Sequence, residues 1–362
     1  MSIACVHRIA DMKAVLFALF LVKACAFPNM DYLGKQAALL PFFNSVPGTF
    51  DDFGQTTHTI AKLTGVLPER QWKNESFRRT NLFETAKRLN LTKLVEAIIQ
   101  AGIERVLDHE GPFTLFGPTN EAFADAPEYC SNVPLKEIIK THVVRGAWKT
   151  SDLKNNMQLD SISEGRKVRI NKYQHNNKTT ASGQVISGPN NIASNGVLHV
   201  LSGVMCSMYK GGAIYELSRC PSFSVFTRLV ARANLSSSID NRGPLTLFAP
   251  VNRAFDKLSP AIVKELTSNV TLLREVLLHH IVPDTWYTAG MYDGQKLKTL
   301  HGDKLSVSFS NIVYVNNATI VLPDATVSNG VVQSVDAVLL PKMLRKHSAY
   351  TVGLSEQSVS LV

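Results

Sequence analysis

The sequence predicts an α+β fold built twice along one chain. The first observation is an internal duplication. Gly111-Pro-Phe-Thr-Leu-Phe-Gly-Pro-Thr-Asn-Glu-Ala-Phe123 returns 132 positions later as Gly243-Pro-Leu-Thr-Leu-Phe-Ala-Pro-Val-Asn-Arg-Ala-Phe255, with nine of thirteen positions identical. The second is the order of patterns around each copy: helical spacing of apolar residues before the box, strand-like alternation well after it. The third is length, since 362 residues suit two domains, each long enough to bury a core of its own.

The first 26 residues stand apart from that core. Arg8 and Lys13 precede an apolar run over residues 14–22, and Ala24-Cys25-Ala26 supplies the small-x-small pattern of a cleavage site. This is the grammar of a secretory signal peptide, and nine apolar residues are too few to span a bilayer. Residues 27–77 hold clustered Gly, Pro, Thr and aromatics without a sustained period and read as an irregular N-terminal arm.

The first repeat, residues 78–208, opens on Leu82, Phe83, Ala86 and Leu89 at helix spacing. Leu91, Leu94, Val95, Ile98 and Ile99 continue the pattern as a second helix that Gly102 is placed to end. Residues 113–116 form a short buried strand stopped by Pro118, and Asn120 is expected to N-cap a short helix through Phe123. A helix over Leu135–Thr141 runs into His142-Val-Val144. From residue 168 onward the pattern is mostly β. Residues 168–173 alternate, residues 184–186 are short, and Asn195-Gly196 marks a tight turn.

The second repeat, residues 209–342, retraces this order. Residues 214–233 and 261–280 read as helical, 245–248 as a strand, and 305–309, 312–315, 319–322 and 331–340 as further strands after which little pattern remains. Asn252 matches Asn120, and Asn329-Gly330 matches the earlier turn. All four asparagines are expected to be structural, through caps, turns or buried hydrogen bonds. Residues 343–362 form a polar tail with no terminal hydrophobic stretch, which argues against a glycolipid anchor.

Charge and cysteines bound the setting. Loss of the leader removes three basic residues and Asp11 and takes the net charge from +9 to +7, a balance suited to polyanions such as sulfated glycans. No nucleic-acid-binding motif accompanies it. Cys130, Cys206 and Cys220 remain, with Cys206–Cys220 across the inter-repeat junction the preferred disulfide and Cys130 with either one the alternative. Six sequons, at Asn74, Asn90, Asn177, Asn234, Asn269 and Asn317, fit an extracellular, glycosylated chain that does not span a membrane.

No catalytic, cofactor or metal constellation is legible. The chain lacks Gly-x-Ser-x-Gly, His-Glu-x-x-His, a phosphate loop and Cys-x-x-Cys. His279 and His280 are adjacent and diverge on a helix by about 100°, so they do not share an ion. One basic run stands out, Arg166, Lys167, Arg169 and Lys172, which as one strand would offer a strip for sulfated glycan. On the alternation, Arg166 shares a face with Val168 and Ile170, and Lys167 with Arg169 and Asn171.

The box Thr-Leu-Phe-x-Pro-x-Asn-x-Ala-Phe, with Ser-Asn-Gly-Val some 75 residues later, resembles the fasciclin domain. The openings Asn81-Leu-Phe-Glu84 and Ala213-Ile-Tyr-Glu216 and the endings Asn195-Gly-Val-Leu-His199 and Asn329-Gly-Val-Val-Gln333 fit the same resemblance. It implies two β-sandwich-like wedges, each with helices packed on one side, in a secreted adhesion or matrix protein without enzymatic activity or cofactors. It also implies partners among integrin-type receptors or matrix proteins, met through an Asp-Ile pair before the closing box and a Tyr-His segment. This chain departs from both motifs. Asn190-Asn191 and Asp324-Ala325 stand at the first, Thr141-His142 and His279-His280 at the second. The candidate receptor-binding residues are therefore Asp324, His279, His280 and His142. A secreted carrier of a lipid or small hydrophobic molecule is the alternative, distinguishable by a large apolar cavity in either wedge.

Overall fold

The computed structural model describes residues 80–344, apart from 127–129, 131–132, 207–209 and 311. The expected signal peptide, N-terminal arm, Asn74 and the tail beyond residue 344 lie outside the described residues. Residues up to 206 form one compact unit and those from 210 another.

Three short helices open the first domain: α1 (Leu82–Arg88), α2 (Thr92–Ala101) and α3 (Glu104–His109). Gly102 ends α2 in the left-handed conformation at φ 66°, which its missing side chain makes inexpensive. The box forms β1 (Phe113–Pro118) and α4 (Asn120–Ala124), followed by α5 (Leu135–Thr141) and β2 (Val143–Arg145). The remaining strands are β3 (Gln158–Asp160), β4 (Lys167–Tyr173), β5 (Lys178–Ala181), β6 (Gln184–Ala193) and β7 (Gly196–Leu201). They make one seven-stranded sheet in the order β2-β1-β7-β6-β5-β4-β3, in which β1 and β7 are parallel and the other neighbours antiparallel.

The sheet curls until its two ends meet. An isolated bridge joins Val144 to Ser161, and Ile162 N–H donates to the Val143 carbonyl at 2.9 Å, so β2 lies beside the segment after β3. Inside the curl, Phe116, Val144, Leu159, Val168, Ile170 and Leu201 pack from both ends of the strand order. The outer face of β1 and β7 carries a second core, where Leu82, Leu94, Ile98, Leu107 and Ile139 from the helices cover Phe113, Leu115 and Leu198. Apolar residues are thus withdrawn from water on both faces of the central strands, which explains the unbroken burial of β1.

The second domain repeats the plan with α6 (Ala213–Ser218), α7 (Ser224–Arg232), α8 (Ser236–Asp240), β8 (Leu245–Pro250), α9 (Pro260–Ser268), α10 (Val270–His279), β9 (Ile281–Pro283), β10 (Lys296–Lys298), β11 (Lys304–Phe309), β12 (Val313–Val315), β13 (Ala318–Val327) and β14 (Gly330–Val335). Its sheet order is β10-β11-β12-β13-β14-β8-β9, again with one parallel pair, β14 with β8. The helical run expected over 214–233 breaks at Cys220-Pro221. The run over 261–280 breaks at Asn269, whose side chain accepts from Leu272 N–H at 3.1 Å and caps α10.

Two of the asparagines do more than the local pattern suggests. The N-cap of α4 is Thr119, whose hydroxyl accepts from Ala122 N–H at 3.1 Å; this corrects the cap expected at Asn120. Asn120 instead reaches back to α2, accepting from Lys93 N–H at 3.0 Å and donating to the Asn90 carbonyl at 3.0 Å. Asn252 does the same for α7, accepting from Val225 N–H and donating to the Pro221 carbonyl. Where Val251 replaces the capping threonine, the segment Asn252–Lys257 winds as a 3-10 helix.

The closing-box asparagines form a junction in each domain. Asn195 Oδ1 accepts from Leu82 N–H at 2.8 Å, and its amide donates to the carbonyls of Leu107 and Glu110 at 2.7 and 2.9 Å. Its own carbonyl accepts from Phe113 N–H at 3.0 Å. Asn329 repeats the set with Ala213, Ile239, Arg242 and Leu245. The next residue is glycine because a Cβ there would stand 2.0 Å from the Phe113 carbonyl oxygen at Gly196 and 1.9 Å from that of Leu245 at Gly330.

The preferred Cys206–Cys220 pairing is corrected. Cys206 is bonded to Cys130, with Cα atoms 5.3 Å apart and 76 positions between them in sequence. Met205 N–H donates to buried His142 at 3.0 Å, which holds this end of the chain in the first domain beside Ala122, Ile138 and Val204. Cys220 packs in the second domain's helical core with Ile214, Leu217 and Phe223. Nearness in sequence misled because the two cysteines belong to different cores.

Two outcomes are expected from urea titration. Replacing Cys130 and Cys206 together by serine lowers the first domain's stability by about 2–5 kcal/mol, the range for removing a native cross-link, whereas Cys220→Ser leaves that domain's midpoint in place. Asn329→Ala orphans one N–H and two carbonyls and costs the second domain about 3 kcal/mol.

Candidate functional site

The region that the motif comparison marks as a receptor site is a bulged corner of the sheet. The β6–β7 pairing slips between Ile186 and Asn191, and the β13–β14 pairing between Ile320 and Ala325. Asn190 and Asp324 sit in these slips at φ 60° and 65°, a region that asparagine and aspartate tolerate better than most residues.

At the first corner Asn190 is tied to Thr150, accepting from its N–H at 2.9 Å and donating to its hydroxyl at 2.8 Å. At the second, Asp324 accepts from Thr288 N–H at 2.8 Å, Thr288 hydroxyl at 2.5 Å and Gln333 Nε2 at 2.7 Å. Burial raises the Asp324 pKa, opposed by the bonds from Thr288 and Gln333. Its carboxylate is turned inward onto three donors, so the expected receptor-facing acid is a latch of the fold.

The residue that completes each corner differs while its work does not. His199 Nε2 donates to the Trp148 carbonyl at 2.7 Å, and its Nδ1 accepts from Asn190 N–H at 3.1 Å. Gln333 donates to the Trp286 carbonyl at 3.0 Å and accepts from Asp324 N–H at 2.9 Å. The box threonines anchor the tryptophan loops from beneath. Thr114 Oγ1 accepts from Trp148 N–H, and Thr246 Oγ1 from Trp286 N–H, each at 2.8 Å.

His142 and His280 are likewise interior. His142 Nδ1 donates to the Ile138 carbonyl at 2.9 Å and Nε2 accepts from Met205 N–H; His280 pairs with Val276 at 2.8 Å and Leu339 at 2.9 Å. One bond to an acceptor and one from a donor require the neutral ring. Burial drives the pKa of His142 to about 4 and that of His280 to about 3. His279 is also fully buried, so none of the three expected receptor histidines presents its ring at the surface.

The basic strip is broken up. The Arg166 side chain is 11% exposed and pairs with Glu137 at 3.3 Å; Arg169 is buried. Lys167 faces out and pairs with Asp160 at 3.3 Å, while Lys172 Nζ donates to the Thr150 carbonyl at 2.9 Å. With Arg166 and Arg169 both withdrawn from solvent, these four residues do not line up as one exposed strip. Asn90, Asn177, Asn234, Asn269 and Asn317 all sit at exposed positions. No helix among the described residues is long and apolar enough to cross a membrane.

Both domains follow one plan, and comparison with known proteins decides which family that plan belongs to. Residues 89–207 and 221–341 match the Fasciclin domain. The chain belongs to the fasciclin family. It is 27% identical over 245 residues both to transforming growth factor-beta-induced protein ig-h3 of Sus scrofa and to periostin of Homo sapiens. These alignments cover 65% of this chain but 35% and 29% of the relatives, so the chain spans about a third of their length. A solved FAS1 domain pair from the insect cell adhesion molecule Fasciclin I matches at a TM-score of 0.36 and 15% identity, over 71% of this chain and 99% of that one.

In both fasciclin domains the histidines set an acid response whose sign follows from their neutral state. The folded form binds fewer protons than the unfolded chain, so the full stability is present above about pH 6.5 and is lost as pH falls towards 4. Each domain is expected to lose about 2 kcal/mol between pH 7 and pH 5 in urea titrations; a flat profile would contradict the assignment. Asp324 acts with the opposite sign, from its ordinary carboxylate range upward. His199→Gln copies Gln333 and is expected to keep the first domain folded while softening its acid response, because burial lowers the His199 pKa as well.

Proposed function

We propose that the chain is a secreted, glycosylated adhesion or matrix protein that works by presenting surfaces of its two fasciclin domains, without catalysis. Family membership carries this reading. The Cys130–Cys206 disulfide supports an oxidising, extracellular setting, as do the five exposed sequon asparagines. The groups that chemistry would need, Asp324, His142, His199 and His280, are occupied in holding corners and strands together, which further supports a non-enzymatic role.

The partner class is an integrin-type receptor or a matrix protein, with sulfated glycans a further class for the basic chain. Since the motif residues face inward, contact falls to other surfaces. The second domain offers one: Tyr292, Phe309 and Ile312 are 45%, 39% and 42% exposed. Phe309 N–H donates to Asp293 at 2.9 Å, which brings the chain at Tyr292 close to that at Phe309.

The carrier alternative gains less support. A groove of about 400 Å³ beside α7 is lined by Arg219, Arg228, Ser224 and Thr227 as well as Ile214 and Ala231, and is open rather than enclosed. A hydrophobic cargo is better served by an enclosed apolar cavity.

Expression through a secretory pathway is expected to yield medium-borne protein whose mass falls on treatment with an N-glycosidase. Surfaces coated with it are expected to support cell attachment. Tyr292→Ser combined with Phe309→Ser should remove most of that attachment while leaving thermal midpoints within a few degrees. Unglycosylated protein retained in the cytosol would overturn the extracellular reading, and undiminished attachment would overturn this surface.

A further inference from the structure

The two domains diverge sharply at one structurally equivalent place, where the curled sheet meets the last helix turn before β2 or β9. The equivalence rests on backbone bonds. Ile162 N–H donates to Val143 as Leu300 N–H does to Ile281, and Ser161 N–H donates to Arg166 as Thr299 N–H does to Asp303. Thr141 therefore corresponds to His279, Ser163 to His301 and Arg166 to Asp303.

In the first domain this place holds its own cation. Arg166 Nη1 lies 3.3 Å from Glu137 and 3.1 Å from the Ser163 hydroxyl, and Ser163 in turn donates to Glu137 at 2.8 Å. The second domain replaces that guanidinium by a carboxylate and surrounds it with imidazoles. His279 ends α10 with its ring buried. His301, on the turn between β10 and β11, stands edge-on to it with centroids 5.7 Å apart. His301 Nδ1 is 4.0 Å from Asp303 Oδ2, and one ligand atom from each of the three residues lies within 4.8 Å of the others. His301 Nδ1 is buried and has no hydrogen-bond partner.

We propose that His279, His301 and Asp303 form a three-ligand site for a zinc-like divalent ion, which supplies in the second domain the positive charge that Arg166 supplies in the first. Two imidazole nitrogens and a carboxylate are the donors such an ion takes. A calcium ion, which takes oxygen ligands, fits poorly. Tetrahedral bonds of about 2.0–2.1 Å put ligand atoms about 3.4 Å apart, so side-chain shifts of about 1 Å close the set. The surroundings orient it. Thr299 Oγ1 donates to the Asp303 carbonyl at 2.9 Å and lies 3.4 Å from His279 Nδ1, and Lys342 N–H fixes the Asp303 carboxylate at 3.1 Å. His301 and Asp303 keep 20% and 27% of their side-chain surface exposed, leaving a solvent-side fourth position. The bound ion would clamp the β10–β11 turn onto the end of α10.

The test is calorimetric titration of the full, chelator-stripped chain with Zn2+, with thermal unfolding run in parallel. One equivalent is expected to bind and to raise the second domain's midpoint. His301→Ala and Asp303→Asn, both at partly exposed positions, should each weaken binding at least about tenfold and abolish that rise. In the unmodified chain Zn2+ should also shift the imidazole resonances of His279 and His301, a readout that does not depend on any variant folding. Absence of Zn2+ binding, unchanged binding in both variants, or binding that leaves those two rings unshifted would each overturn the site.

Discussion

The asparagine of the closing box is the contact on which each domain depends. One side chain accepts from the first N–H of the opening helix and donates to two carbonyls at the end of the third helix, while the same residue's carbonyl starts the parallel strand pair. Those are the orphaned groups that helix ends leave behind, and they arrive here from points more than 80 positions apart in sequence. No other residue type offers one acceptor and two donors on so short a stem. The glycine that follows is the steric counterpart, since the strands close only where no Cβ intervenes. Box and closing motif are thus two halves of one junction.

Duplication separates requirement from accident. At the bulged corner His199 and Gln333 make matching bonds with different chemistry, and Asn190 and Asp324 both hold the backbone of the threonine facing them. At the opening helix Asn81 caps its own helix, while Gly212 has no side chain to do so and Asp240 takes the N–H groups of Ile214 and Tyr215 from across the domain. What persists is the bond and not the residue that makes it. A histidine or aspartate at such a place is explained by backbone satisfaction before any ligand is invoked.

The sequence made the repeat, the fold class and most long elements legible, because periodicity and the box report local geometry directly. Helix α5 appears over Leu135–Thr141, the residues its pattern marks. What escaped was decided at a distance. Strand β6 runs on to Ala193, well past the short stretch over residues 184–186 that the pattern marks, because the bulge absorbs the irregular residues. The charges of β4 form no exposed strip because Arg169, on the face opposite Val168 and Ile170, is buried as well. His279 looked unfit for a metal when judged against its neighbour His280. Its companions His301 and Asp303 lie more than twenty positions further on, and only the closure that bonds Leu300 to Ile281 brings them together.

Surface availability then narrows where partners can act. Asn90, Asn234 and Asn269 lie in connections between helices, so glycans there would shield the helical side of each domain. Asn317 follows β12, whereas Phe309 and Ile312 precede it, and three strand residues separate the ends by about 10 Å. A glycan at Asn317 therefore projects from the far end of that short strand and leaves the Tyr292–Phe309–Ile312 group open. Interior corners serve the scaffold, and glycans at the sequons would occupy the helical connections. The apolar end of the second domain's hairpin is then left as a surface that neither claims.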